Sequence, residues 1–263
     1  MSKVREVVVP GARLSVEIRG EGSPALVMLH GLASDRRSWD RVVAELGLHT
    51  CTIRYDLRGS GQSVASDDKP FRHASDLHAL LDAMGVECCD LLGVSLGGAI
   101  ALNFALDHPR RVRRLVLVSP GITAWDWSDE WRTLWAAITD AARSVGVARA
   151  RELWWEHPLF ASTRVLPEAA EKFREMLESD SGAAWLGQNT EAPALPDLDR
   201  LPLLAPPCLL LTGTADLPDF RLIAQFIESA VPQLRRVDYD HAGHLLNLER
   251  PCELATEIAR FLK

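Results

Sequence analysis

Asp90-Leu91-Leu92-Gly93-Val94-Ser95-Leu96-Gly97-Gly98-Ala99 decides the fold. An apolar run of strand length leads into this stretch, and residues 100–106 behind it carry apolar side chains at helical spacing. The pattern G-x-S-x-G, from Gly93 to Gly97, therefore sits on a strand-to-helix turn. A nucleophile held on so sharp a turn needs positive φ, and neighbouring chains must pass close to it. Glycines at 93, 97 and 98 provide that space. The following helix brings its first N–H groups near the serine, where they favour developing negative charge. The rival reading is a glycine-rich turn without chemistry, and the remaining chain decides between the two.

A serine hydroxyl is a poor nucleophile without a base and an acid that orients the base. Near the C-terminal end lies Asp240-His241-Ala242-Gly243-His244-Leu245, just after the last expected strand. His244 is the better base, because it precedes a helix and follows a glycine that can loop the chain over the sheet edge. His241 reads as a loop histidine. The acid belongs at the carboxyl end of a strand, where active sites of open α/β sheets collect. Leu209-Leu210-Leu211-Thr212-Gly213-Thr214-Ala215-Asp216 places Asp216 there, while Asp219 fits the cap of the next helix. The order Ser95, Asp216, His244 is that of a nucleophile-elbow hydrolase. His30-Gly31-Leu32 follows the third strand, so the backbone N–H groups of Leu32 and Leu96 are the expected oxyanion donors, with His30 supporting that loop or contacting substrate.

Around this apparatus the chain alternates. A hairpin is expected at Val7-Val8-Val9, Pro10-Gly11 and residues 14–18. Apolar runs of strand length recur at 25–29, 50–55, 89–93, 112–118, 208–212 and 234–239, with helical patterns at 74–84, 100–106 and 254–262. Such alternation implies βαβ units and a mostly parallel sheet. It breaks between about Gly121 and Asp197, in a helix-rich stretch too long for a connection and readable as a lid. Seven of the eight tryptophans lie there: Trp125, Trp127, Trp131, Trp135, Trp154, Trp155 and Trp185. They read either as the insertion's own core or as an aromatic lining above Ser95. Trp125 and Trp127, nearest the sixth strand, are the candidate substrate-binding members. Asp56 and Arg58 in the glycine-rich turn read as a structural ion pair or as loop organisers.

Composition narrows the class. The 263 residues carry a net charge of −7, with 47% hydrophobic and 25% charged residues, which is ordinary globular composition without a basic footprint for nucleic acid. Five cysteines, two of them adjacent, suit neither a disulfide framework nor a zinc site, and most are expected to be buried. No stretch offers 18 apolar residues without charge, which argues against a membrane span. The charged start Met1-Ser2-Lys3-Val4-Arg5-Glu6 lacks the apolar stretch of a signal peptide. A cytoplasmic location follows as an expectation.

These residues together resemble the α/β-hydrolase superfamily. The resemblance rests on His30-Gly31, on D-x-R-G-x-G-x-S from Asp56 to Ser63, on G-x-S-x-G, on Gly213 to Asp216 and on Ala242-Gly243-His244. It covers nearly the whole chain and is nearest to small bacterial ester and lactone hydrolases, including those similar to 3-oxoadipate enol-lactonases. It implies a mostly parallel eight-stranded sheet with a helical cap after the sixth strand. The expected division is then core 1–121, Trp-rich cap 122–196 and core 197–263. It implies Ser95, Asp216 and His244 as the triad, with Asp126 and Asp129, soon after the sixth strand where some relatives carry the acid, as the alternatives to Asp216. The expected enzyme hydrolyses a carboxylic ester or lactone without metal or cofactor, and the tryptophans point to a small apolar or aromatic substrate. Carbon–carbon or thioester hydrolysis with the same triad is one alternative, and a ligand receptor with vestigial turnover another. The oligomeric state is open.

Overall fold

A computed structural model describes residues 3–47, 50–188 and 191–263; Met1 and Ser2 of the charged start lie outside them. The strands are β1 (Lys3–Val9), β2 (Ala12–Arg19), β3 (Leu26–Leu29), β4 (Thr52–Tyr55), β5 (Val64–Ala65), β6 (Cys89–Val94), β7 (Val112–Val118), β8 (Cys208–Gly213) and β9 (Leu234–Tyr239). Eight of them form one path, ordered β1-β2-β4-β3-β6-β7-β8-β9, and the two-residue β5 pairs with β2 off that path. The hairpin pairs β1 with β2 antiparallel, and β2 is also antiparallel to β4. From β4 to β9 every pairing is parallel.

Central strands covered on both faces lose the alternation of a half-exposed sheet. The residues of β3, β4, β6 and β8 are buried throughout. Alternate side chains still go to opposite faces. Val27, Leu29, Leu91, Leu115, Leu117 and Leu210 join the helices His73–Ala83, Leu96–Asp107 and Pro218–Ala230. Met28, Leu92, Val94, Val116 and Leu211 face Trp39, Val42 and Val43, together with Leu254 and Ile258 of the helix Pro251–Phe261. Each such aliphatic side chain stabilises the fold by about 1.5–3 kcal/mol before entropy is counted.

Between β7 and β8 lie the helices Asp129–Ser144, Val147–Glu156, Ala161–Arg164, Pro167–Ser179 and Ala183–Leu186. Their apolar faces continue the first core through Ile138, Trp154, Phe160, Phe173 and Trp185. Ion pairs tie Pro167–Ser179 to the segment after β3: Arg37 to Glu175 and Lys172 to Asp40, at 2.5 and 3.1 Å.

Two local expectations are corrected. Asp56 and Arg58 organise their loops but do not pair with each other: Asp56 takes Arg36 and the Gln62 N–H, while Arg58 forms a buried two-pronged bond to Asp76 at 2.6 and 2.9 Å. The glycine turn points the two side chains to different partners. Of the cysteines only Cys89 and Cys208 are buried; Cys88 and Cys252 are exposed and Cys51 is intermediate, because Cys51 and Cys88 stand just before β4 and β6 and Cys252 lies on the solvent side of the helix Pro251–Phe261.

Candidate active site

Strand β6 ends at Val94, and Ser95 takes φ 55° and ψ −117° before the helix Leu96–Asp107 begins. Positive φ is costly for a residue with a Cβ, so the surroundings must hold it. The Ser95 N–H donates to the Val118 carbonyl at 3.0 Å, and its own carbonyl accepts from Ala99 and Gly121 at 3.0 and 3.1 Å. The turn passes so close to β3 that a Cβ on Gly97 would sit 2.4 Å from the Leu29 carbonyl oxygen. Only glycine fits there.

The carboxyl ends of β8 and β9 carry the other two groups. A Cβ on Gly213 would lie 2.3 Å from the carbonyl oxygens of Ala242 and Gly243, so the two loops touch backbone to backbone. The Ala215 N–H donates to Ala242 O at 2.9 Å, and His241 N–H to Thr214 Oγ1 at 3.0 Å. This lacing sets His244 Nδ1 2.9 Å from Asp216 Oδ2, with both side chains 1–2% exposed. The second carboxylate oxygen accepts the Leu217 N–H at 2.7 Å. A carboxylate at Nδ1 fixes the proton there and leaves the Nε2 lone pair free to act as base. Nε2 is buried and has no hydrogen-bond partner among the described residues. Such bonds to the nucleophile often tighten only when substrate is present.

Ser95 and His244 line one cavity of about 760 Å³, together with Leu32 and Leu96. Leu96 begins its helix, so its N–H has no acceptor within that helix. Much of the remaining lining is aromatic: Trp127, Trp131, Trp135 and Trp154 with Phe160, Phe173 and Phe220. Trp127 stacks on Trp131 at 4.5 Å and 21°. A smaller polar wall includes His73, Asn103 and Gln188. Burial pushes the His73 imidazole down to about 3, aided by the charges of His30 and Arg58. Among the described residues no group of three or more His, Cys, Asp or Glu is placed to hold a metal ion.

Two sequence expectations fall elsewhere, and His30 keeps its loop-supporting role without the substrate contact. His30 is fully buried and outside the cavity lining; its Nδ1 donates to Gly31 O at 2.8 Å and its Nε2 accepts the Leu57 N–H at 2.9 Å. It braces the loop before Leu32 and offers nothing to a ligand. Trp125 is also outside the lining, because its Nε1 donates to Asp219 Oδ1 at 3.2 Å and its ring meets Phe226 edge-on. Asp219 is not a helix cap. That position is Leu217, and Asp219 accepts instead from Trp125 and from the Ser128 N–H and hydroxyl. The alternative acids Asp126 and Asp129 are almost fully exposed at 96% and 99%, paired with Arg132 away from His244.

Sequence reasoning missed Phe220, whose ring lies against His244, and Glu249, which binds the loop carrying His244. It also missed His157, buried beside Trp131 and Trp154 and pushed down to about 4 by burial, with the nearby His244 contributing. Periodicity offered a signal only for Phe220, as an apolar residue on the first turn of a helix.

The family model described as the alpha/beta hydrolase fold matches residues 24–251. The chain is 26% identical over its full length to 3-oxoadipate enol-lactonase 1 of Acinetobacter baylyi, covering 99% of that protein. Among solved structures it resembles the enol-lactonase of Burkholderia xenovorans LB400, with a TM-score of 0.83, 25% identity and coverage of 98% and 99% of the two chains. A thermophilic esterase from Thermogutta terrifontis matches with a TM-score of 0.82 and 27% identity, over 99% of this chain and 98% of the other.

Proposed function

The chain belongs to the α/β-hydrolase fold family, and from that premise we propose that it is a serine hydrolase cleaving a carboxylic ester or lactone of a small apolar or aromatic substrate. The observation that carries this reading is the His244–Asp216 bond of 2.9 Å, opening on the same cavity as a serine held at φ 55°. His244 Nε2 takes the Ser95 proton as Oγ attacks the carbonyl carbon. The N–H groups of Leu32 and Leu96 hold the oxyanion. The imidazolium then protonates the leaving alcohol, or the lactone's ring oxygen, and an acyl-Ser95 remains. Water, deprotonated by His244, releases the acid and restores the serine. Asp216 keeps the imidazole in the productive tautomer throughout.

In this reading residues 122–196 form the cap, and its tryptophans select the acyl or alkoxy group. Esterase and lactonase relatives support the reaction type. No helix among the described residues is long and apolar enough to cross a membrane. The test is labelling with a fluorophosphonate followed by a panel of aryl esters, lactones and thioesters. Label on Ser95 and turnover lost in Ser95→Ala are the expected results. Unchanged turnover in Ser95→Ala would sink the reading, and burst labelling without sustained turnover would point to a receptor.

A further inference from the structure

Glu249 is 8% exposed and carries a carboxylate between two elements that otherwise belong to different parts of the fold. Its Oε1 accepts from the hydroxyls of Ser162 and Thr163 at 2.9 and 2.6 Å, both on the short helix Ala161–Arg164. Its Oε2 accepts the Gly243 N–H at 2.7 Å, one residue before His244. None of these partners is a cation. A carboxylate without a countercharge is tolerated in such a place only when hydrogen-bond donors satisfy it, and here three do.

The contact has no slack. A Cβ on Gly243 would stand 1.9 Å from Ser162 Oγ and 3.3 Å from Glu249 Oε1. Any displacement of Ala161–Arg164 must therefore act on Glu249 or on Gly243 directly. The helix is in turn continuous with Phe160, which lines the cavity and packs edge-on against Trp154 at 5.1 Å. A ligand that fills the aromatic wall presses on the residue that leads into this helix.

We propose that Glu249 is a positioning residue that couples the cap to the catalytic histidine, holding the Gly243-His244 backbone in register with Asp216 through the Ser162 and Thr163 hydroxyls. The proposal rests on the reading of His244 as the base. The planar carboxylate transmits position because each oxygen serves one side: Oε1 the cap, Oε2 the histidine loop. An amide at 249 could still accept from the two hydroxyls, but its NH₂ group would face the Gly243 N–H donor to donor.

The experiment uses the full chain and reads both turnover and the low-field NMR resonance of the Nδ1 proton shared by His244 and Asp216. In Glu249→Gln, kcat for an aryl ester falls about tenfold, the size of one hydrogen bond lost in a transition state, while KM stays within about twofold. The Nδ1 resonance broadens or moves. Ser162→Ala combined with Thr163→Val removes only the cap side of the bridge, and it shifts the same resonance and lowers kcat in the same direction. It also serves as the reporter if Glu249→Gln does not fold. A merely structural carboxylate gives a lower Tm with kcat and the resonance unmoved, and that result overturns the proposal. Turnover retained in Ser95→Ala would overturn the underlying reading and the coupling with it; an unmoved resonance in a chain whose Ser95 is essential overturns the coupling alone.

Discussion

The ring of Phe220 lies 4.2 Å from the imidazole of His244, centroid to centroid, and is 4% exposed. The same ring meets Trp127 and Trp131 edge-on at 5.3 and 5.5 Å. One side chain on the first turn after the Asp216 loop therefore fills the space between the histidine and the stacked tryptophans. Phe220→Ala is expected to cost about 3–5 kcal/mol of stability, the usual range for a large ring removed from a core. Urea unfolding checks this. Phe220→Leu keeps most of the volume and is expected to retain the fold with weaker turnover.

Asp216 is bonded at both oxygens, to His244 Nδ1 and to the Leu217 N–H. Asp216→Asn preserves shape but presents an amide to Nδ1 and favours the wrong tautomer. If the proposed triad operates, a loss of about 10⁴ in kcat is expected, the size of the aspartate-to-asparagine effect in a Ser-His-Asp triad. Asp126→Asn is the matched control, since Asp126 is exposed on Arg132; its steady-state kinetics are expected to stay near those of the parent.

The strands and the elbow were legible because their signals are local. A doubly covered strand is a short apolar run, and all eight expected strands stand in the sheet, joined by a two-residue β5 too short to leave a pattern. Ser95, Asp216 and His244 were legible as candidates because each sits at a strand's carboxyl end with a glycine two or three residues before it or directly beside it. The partners of charged groups were not legible. Asp56 beside Arg58 in sequence suggested a pair, yet side chains two apart on a tight turn diverge, and Arg36 and Asp76 took their places. Bridges such as Asp219 to Ser128 and Glu249 to Ser162 join residues 91 and 87 positions apart. No spacing rule reaches that far. Trp125 was misplaced for the same reason: nearness to the end of β7 does not say which way a side chain turns.

Buried imidazoles, His30, His73 and His157 among them, give the fold an acid-sensitive edge. Burial lowers His73 to about 3 and His157 to about 4, against an ordinary value of 6.5. Below 6.5 the unfolded chain takes up protons that the folded chain refuses until the pH nears those lower values. Stability is therefore full above about pH 6.5 and declines as pH falls from there toward about 4. The measurement is Tm across a pH series from about 7.5 to 4.5. His73→Gln removes one of these titrating groups, and a shallower decline is expected; a decline as steep as the parent's would assign the effect to other groups.

Trp127 and Trp125 stand two residues apart and should separate cleanly. Trp127 lines the cavity and stacks on Trp131, whereas Trp125 is held by Asp219 and Phe226 outside the lining. In Trp127→Ala the wall above Ser95 loses a large apolar face, and aromatic contacts of this kind contribute about 0.5–1.5 kcal/mol beyond area burial. KM for aryl esters is expected to rise about tenfold, with much less effect on a small acetate ester that does not reach the wall. Trp125→Ala instead breaks a hydrogen bond to a buried carboxylate that still holds two others, to the Ser128 N–H and hydroxyl. It is expected to lower Tm by a few degrees and leave the aryl-to-acetate KM ratio unchanged. Steady-state kinetics on the two esters, run beside thermal melts, distinguish a binding wall from an anchor. Equal KM shifts in both variants would mean that Trp125 reaches the ligand, against the placement of its indole on Asp219.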